Sequence, residues 1–119
     1  MSNLTVTNIN GLDADVGKVK SWINFDGLIA SVRDSFNVSS LTDRAAGKFS
    51  SNFTNAMVNG NYAAVATTGY YNDTIDTNDC DVYNIQTGLY SIATADSAAS
   101  DNVWGDRSMT SGVILGDIA

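Results

Sequence analysis

The sequence contains no histidine, no proline and a single cysteine. Without histidine there is no imidazole to act as a general base, to complete a nucleophilic triad or to ligate a metal. An average chain of this length carries about six prolines. Here every turn must rest on Gly, Asn and Asp, which reach positive φ or bond their own backbone. Cys80 has no intrachain disulfide partner. Its neighbours Asp79 and Asp81 oppose formation of a thiolate, so it is a poor nucleophile. Cations are scarce as well: 6 Lys and Arg stand against 13 Asp and Glu, a net charge of -7. A domain this acidic repels nucleic-acid phosphates and anionic membrane surfaces. No apolar run approaches the roughly 18 residues of a membrane span. The stretch Met1 to Gly11 lacks a basic region followed by an apolar one, so no signal peptide is expected.

What is present leans toward β structure. The 119 residues fit one domain with a modest core, since 44% of them are hydrophobic. Only 16% are charged, and the polar surface is made of Asn, Ser and Thr, which favour turns and exposed strands over helix interiors. Residues 1–18 carry apolar positions at an irregular period, among them Leu12 and Val16. This N-terminal stretch reads as an entry segment, a linker or a short helix near 12–18, too apolar for a free tail. From Val19 the pattern alternates. Val19, Ser21, Ile23 and Phe25 share one face, and Lys20, Trp22 and Asn24 the other. Asp26-Gly27 predicts a two-residue type I′ hairpin between strands 19–25 and 28–33, with positive φ at both positions. Phe36 and Val38 are expected inward, with Asn37 and Ser39 outward. Residues 42–47 read as a loop, and Phe49, Ser51 and Phe53 as a buried strand face. The small residues of "NYAAVATTG" predict a strand packed closely on both sides. The tracts 71–81 and 95–111 read as polar loops, and Thr87-Gly88 as a hairpin between "VYNI" and "LYSIAT". These add up to an all-β antiparallel sandwich of about eight short strands over residues 19–119.

Groups with chemistry are few. Asp73, Asp76, Asp79 and Asp81 form an acidic tract, but their spacing is not that of a calcium loop and no bidentate Glu follows, so a solvated loop is expected and no metal. A carboxylate pair for glycoside hydrolysis is equally unspecific here. Tyr70, Tyr71 and Trp104 sit in or beside long loops. Loop aromatics supply rigid apolar area for recognising carbohydrate or protein, or else cap the ends of a sandwich. Trp22 lies on the polar strand face, which points to a subunit contact. Four Asn-x-Ser/Thr sequons, at Asn3, Asn37, Asn52 and Asn72, arise readily in a chain this rich in Asn, Ser and Thr. Without a secretion signal they are not read as glycan sites.

The segments "KSWINFDG", "RDSFNVSSLTD", "GKF", "NFTNAM" and "NYAAVAT" occur in that order over residues 18–68. In this the chain resembles the C-terminal domain of bacteriophage tail fibres, particularly those of phages infecting cyanobacteria and other marine hosts. "NINGLDADVGKV" resembles the end of a fibre stalk. The chain departs from the pattern at Arg44-Ala45-Ala46 and at Ser50-Ser51. The resemblance implies a homotrimeric virion protein that meets a host surface glycan or outer-membrane protein; the lack of a signal peptide fits manufacture in the host cytoplasm, and the residues themselves point to no cofactor and no catalysis. Trp22, Leu12 and Val16 would then lie at the subunit interface. The loops 69–81 and 95–108 would bind receptor through Tyr70, Tyr71, Asp73, Asp76 and Trp104, and Arg107 would pair with an acidic sugar. A structural role in a head fibre, baseplate or fibre joint, binding another phage protein, is the alternative. A polysaccharide-degrading module ranks below both.

Overall fold

The computed structural model describes residues 8–9, 12–13, 18–70, 78–96 and 104–119. Among them are ten strands and no helix. Strands β1 (Asn8–Ile9) and β2 (Leu12–Asp13) pair antiparallel, with Ile9 opposite Leu12. Leu12 and Asp13 are therefore extended rather than helical, because their backbone groups pair across to β1. Val16 lies outside the described residues.

Eight strands build the rest. They are β3 (Val19–Asp26), β4 (Ser31–Phe36), β5 (Val38–Ala45), β6 (Lys48–Phe53), β7 (Ala63–Gly69), β8 (Asn78–Tyr83), β9 (Leu89–Asp96) and β10 (Met109–Leu115). One sheet has the order β4-β3-β10-β7 and the other β5-β6-β9-β8. All pairings within them are antiparallel. The described residues are thus all-β, with two four-stranded antiparallel sheets in a sandwich-like arrangement.

Period-2 alternation explains the core. Ile23 and Phe25 of β3 and Ile114 of β10 meet Phe49 and Phe53 of β6 and Tyr90 and Ile92 of β9, and Met57 closes one end. Phe25 and Phe49, one from each sheet, have ring centroids 5.0 Å apart. Phe53 stacks on Tyr90 at 5.8 Å and meets Tyr62 edge-on at 5.8 Å. Each such side chain contributes about 1.5–3 kcal/mol by leaving water, with a further increment from the tilted ring contacts.

Several expectations are corrected by pairing that lies beyond the local pattern. Asp26 pairs with Ser31, so the first turn has four residues, 27–30, and not two. Its positive φ falls at Ala30 (51°) and not at Gly27. Gly27 has another reason to be glycine: a Cβ there would stand 2.8 Å from the Arg107 carbonyl oxygen and 3.3 Å from the Phe49 ring. Leu28 and Ile29, expected in a strand, sit exposed in this turn. Val19 is exposed and Lys20 buried, because a bulge between Ser21 and Val19 opposite Ile114 and Leu115 reverses the alternation there.

Phe36 and Asn37 are placed differently as well. Phe36 is 44% exposed on the outward face. Asn37 takes a left-handed conformation (φ 56°) at the corner where the chain leaves one sheet for the other. Its amide nitrogen donates to the Lys20 and Asn55 carbonyls, both at 3.1 Å, and its Oδ1 accepts from the Asn55 amide at 2.7 Å. Short polar side chains tolerate that backbone by bonding it locally. Strand β5 runs on to Ala45, so the loop expected over 42–47 shrinks to the turn at Ala46-Gly47. Strand β7 is an edge strand with Ala63, Val65 and Thr67 exposed, so it packs closely on one face and not on two. Asn78 to Asp81, expected in a loop, belong to β8, where they pair with β9.

Candidate functional site

The outward face of the β5-β6-β9-β8 sheet carries a hollow at Trp104. Its floor follows from the pairing. Asp79 lies opposite Ala95, Asp81 opposite Ala93 and Tyr83 opposite Ser91. Lys48 lies opposite Ala93 from the other side. Small side chains on β9 leave a trough, and longer ones on β8 and β6 form its banks. Trp104 closes the trough through an isolated bridge to Ala95. Two adjoining depressions result. One, of about 320 Å³, is lined by Asp79, Cys80, Asp81, Ala95 and Trp104. The other, of about 230 Å³, is lined by Lys48, Asp81, Tyr83, Ala93 and Trp104.

Trp104 is 37% exposed, and the segment after it is held tightly. The Gly105 amide donates to the Thr94 carbonyl at 3.0 Å, and the Thr94 hydroxyl donates to the Gly105 carbonyl at 2.7 Å. The Gly47 amide donates to Asp106 Oδ1 at 2.7 Å, and the Gly27 amide to the Arg107 carbonyl at 2.8 Å. These bonds fix the indole's base on both sheets. The Lys48 ammonium stands 5.8 Å from the Trp104 ring centroid, within cation–π range.

Electrostatics round the hollow are mixed. Asp79 and Asp81 are exposed, and Lys48 is the one cation among the lining residues. The Cys80 thiol is pushed up to about 11, first by burial and then by the negative charge of Asp81. It stays protonated at neutral pH.

The expected receptor residues separate in space. Trp104 forms the hollow. Tyr70, half-buried just beyond the end of β7, lines neither depression. Tyr71, Asp73 and Asp76 lie outside the described residues. Arg107 is not the free cation expected: its side chain is buried, with Nε donating to Asn78 Oδ1 at 2.5 Å and Nη1 to the Asp106 carbonyl at 3.0 Å. Lys48 and Tyr83 lie outside the loops expected to bind receptor, and Asp79 and Asp81 lie inside the expected loop 69–81 without having been singled out as receptor contacts. Asp79, Asp81 and Tyr83 stand at alternate positions of "DCDVY", a period-2 signal that reads as one strand face once the tract is taken as β.

A second feature lies on the opposite outer face. Trp22 pairs with Phe36 on one side and Val113 on the other, and Val113 pairs with Val65. These four outward residues make an apolar row across the whole β4-β3-β10-β7 sheet. Phe36 and Val65 are exposed and Trp22 and Val113 half-buried. The next row, Thr67, Ser111, Asn24 and Asp34, is polar.

Comparison with family models, with curated proteins and with solved structures finds no match.

Proposed function

We propose that the chain is a receptor-binding domain of a virion tail fibre, a binding module and not an enzyme, that attaches a phage to a host surface glycan or outer-membrane protein. The observation that carries this reading is the rigidly based Trp104 hollow on one exposed sheet face. An aromatic wall, an apolar floor and a few polar groups at the rim are what small-ligand recognition uses. The resemblance over residues 18–68 supplies the biological setting. Homotrimerisation through Trp22 belongs to the same proposal, and the apolar row from Phe36 to Val65 supports it. Three copies would multiply weak individual sites into avidity.

The apolar row also favours a second reading, in which the domain is a fibre-joining or baseplate component and that face seats another phage protein. The test is adsorption of the purified, labelled domain to host cells, with its subunit number measured by light scattering. Saturable adsorption by a trimer is expected. A domain that ignores host cells but binds a virion protein overturns the receptor reading in favour of the second. Trp22→Asp should yield monomers, because a carboxylate would replace the indole in the middle of the row. A trimer mass for this variant would exclude that face as the interface.

A further inference from the structure

We infer that the Trp104 hollow takes a neutral carbohydrate, two linked sugar rings with one stacked on the indole; this rests on the receptor-binding reading and names its ligand. The shape comes first. The two depressions share Asp81 and Trp104 as a common wall. They are therefore neighbouring compartments of one trough, and together they fall within the roughly 300–1,000 Å³ of small-ligand sites. A single flat ring against Trp104 fills one compartment and leaves the other for the next ring of a chain.

The chemistry of the walls selects the ring type. A pyranose has an apolar face of C–H groups and a rim of hydroxyls. The partly open indole and the Ala93 and Ala95 floor suit the face. The Asp79 and Asp81 carboxylates accept hydrogen bonds from hydroxyls, and charged acceptors make the stronger ones. Lys48 donates from the opposite bank.

Charge disfavours the two neighbouring ligand classes. An anionic sugar would meet Asp79 and Asp81 in a molecule of net charge -7. The Arg107 that might have countered them is buried and bonded to Asn78. A cationic ligand, which a tryptophan and two carboxylates would otherwise invite, finds the Lys48 ammonium already 5.8 Å from the ring centroid. A second cation there is repelled by the first. A neutral polyol carries no charge for either to repel, and it reaches the indole face by displacing the flexible Lys48 side chain.

The experiment is a titration of the isotope-labelled domain with maltose, lactose, mannobiose and chitobiose, followed through the indole N–H signals of Trp22 and Trp104. Glucuronic acid and choline are run as charged probes. Trp104→Phe assigns the two signals. At least one neutral disaccharide should shift the Trp104 signal in saturable fashion and leave Trp22 unmoved. Trp104→Ala should weaken that binding about tenfold, and Asp81→Asn, an exposed change that spares the fold, a few-fold. Host-cell adsorption is measured on the same samples. If no neutral sugar moves the Trp104 signal while the domain still adsorbs to cells, the carbohydrate assignment falls and a protein receptor stands. If neither occurs, both readings fall. Tighter binding of glucuronic acid or choline than of any neutral sugar overturns the charge argument, and binding unaffected by Trp104→Ala and Asp81→Asn places the ligand elsewhere.

Discussion

The Gly47 amide donates a hydrogen bond to Asp106 Oδ1 at 2.7 Å, between residues 59 positions apart in the chain. Gly47 ends the turn of the β5-β6 hairpin, and Asp106 follows two residues after Trp104. The contact ties the scaffold to the segment that aims the indole, so a change at the hairpin should be felt in the hollow.

Gly47 has φ 68°, and a Cβ on it would strike the Thr94 carbonyl and stand 2.6 Å from the Gly105 nitrogen. Gly47→Ala should therefore cost about 2–4 kcal/mol, from both the left-handed backbone and the overlap. Denaturant unfolding measures the loss. Asp106→Asn keeps an acceptor oxygen and should be mild. Asp106→Ala removes it and should alter Trp104 emission more than that of Trp22, resolved by comparison with Trp22→Phe.

Gly27→Ala separates two explanations of one glycine. A turn that needs positive φ would be strained there, but the observed need is closeness to Arg107 and Phe49. The substitution should destabilise by about 1–3 kcal/mol through overpacking. Truncating the facing ring in Phe49→Leu should relieve part of that, so the double variant should be less destabilised than the sum of the two. Strict additivity would assign the overlap to the Arg107 backbone alone and remove the ring from the explanation.

Tyr90 is fully buried, yet neither its hydroxyl nor that of Ser51 on the paired strand has a hydrogen-bond partner among the described residues. Burial raises the phenol's pKa well above its ordinary value, and a polar contact with the Ser51 hydroxyl, short of hydrogen-bond geometry, offsets only part of the rise. Leaving a buried hydroxyl unsatisfied costs about 1–3 kcal/mol. Tyr90→Phe keeps the ring stack on Phe53 and removes the hydroxyl, so the melting temperature should hold or rise. A clear fall would reveal a bond to that oxygen.

The stability profile with pH should be flat from 6 to 8, where no histidine titrates, and should decline above about 9. Cys80 carries the sign. Its thiol rises from 9.0 to about 11 in the folded chain, first by burial and then by Asp81. Between those values the unfolded chain has lost the proton and the folded chain keeps it, so raising the pH favours unfolding. The buried Tyr90 phenol acts in the same direction at higher pH. Thermal melts of wild type and Cys80→Ser across pH 7–11 check this, and the variant should decline less steeply.

Much of the scaffold was legible in alternation. Phe49, Ser51 and Phe53 face inward as their spacing requires, and Trp22 faces away from Ile23 and Phe25. The eight sheet strands match the number that the pattern supports, although β5, β8 and β10 extend into tracts that read as loops. Those tracts are rich in Asp, Ser and Thr, which propensity assigns to turns until a neighbouring strand supplies hydrogen-bond partners. Phe36 was misplaced because local alternation has no means of registering the left-handed corner at Asn37, one residue later, where the chain changes sheets.

The sequence by itself determined that this chain is β and that it holds no imidazole chemistry, whereas the expected reliance of its turns on Gly, Asn and Asp holds at Asn37 and Gly47 and fails at Ala30. Composition and a period of two decide these matters, and both are local. Only the tertiary structure decided that Lys48, Asp81, Ala93 and Trp104 meet in one hollow, and that Arg107 is buried away from it. Those placements depend on strand partners and register, which are set by packing between residues far apart in the chain.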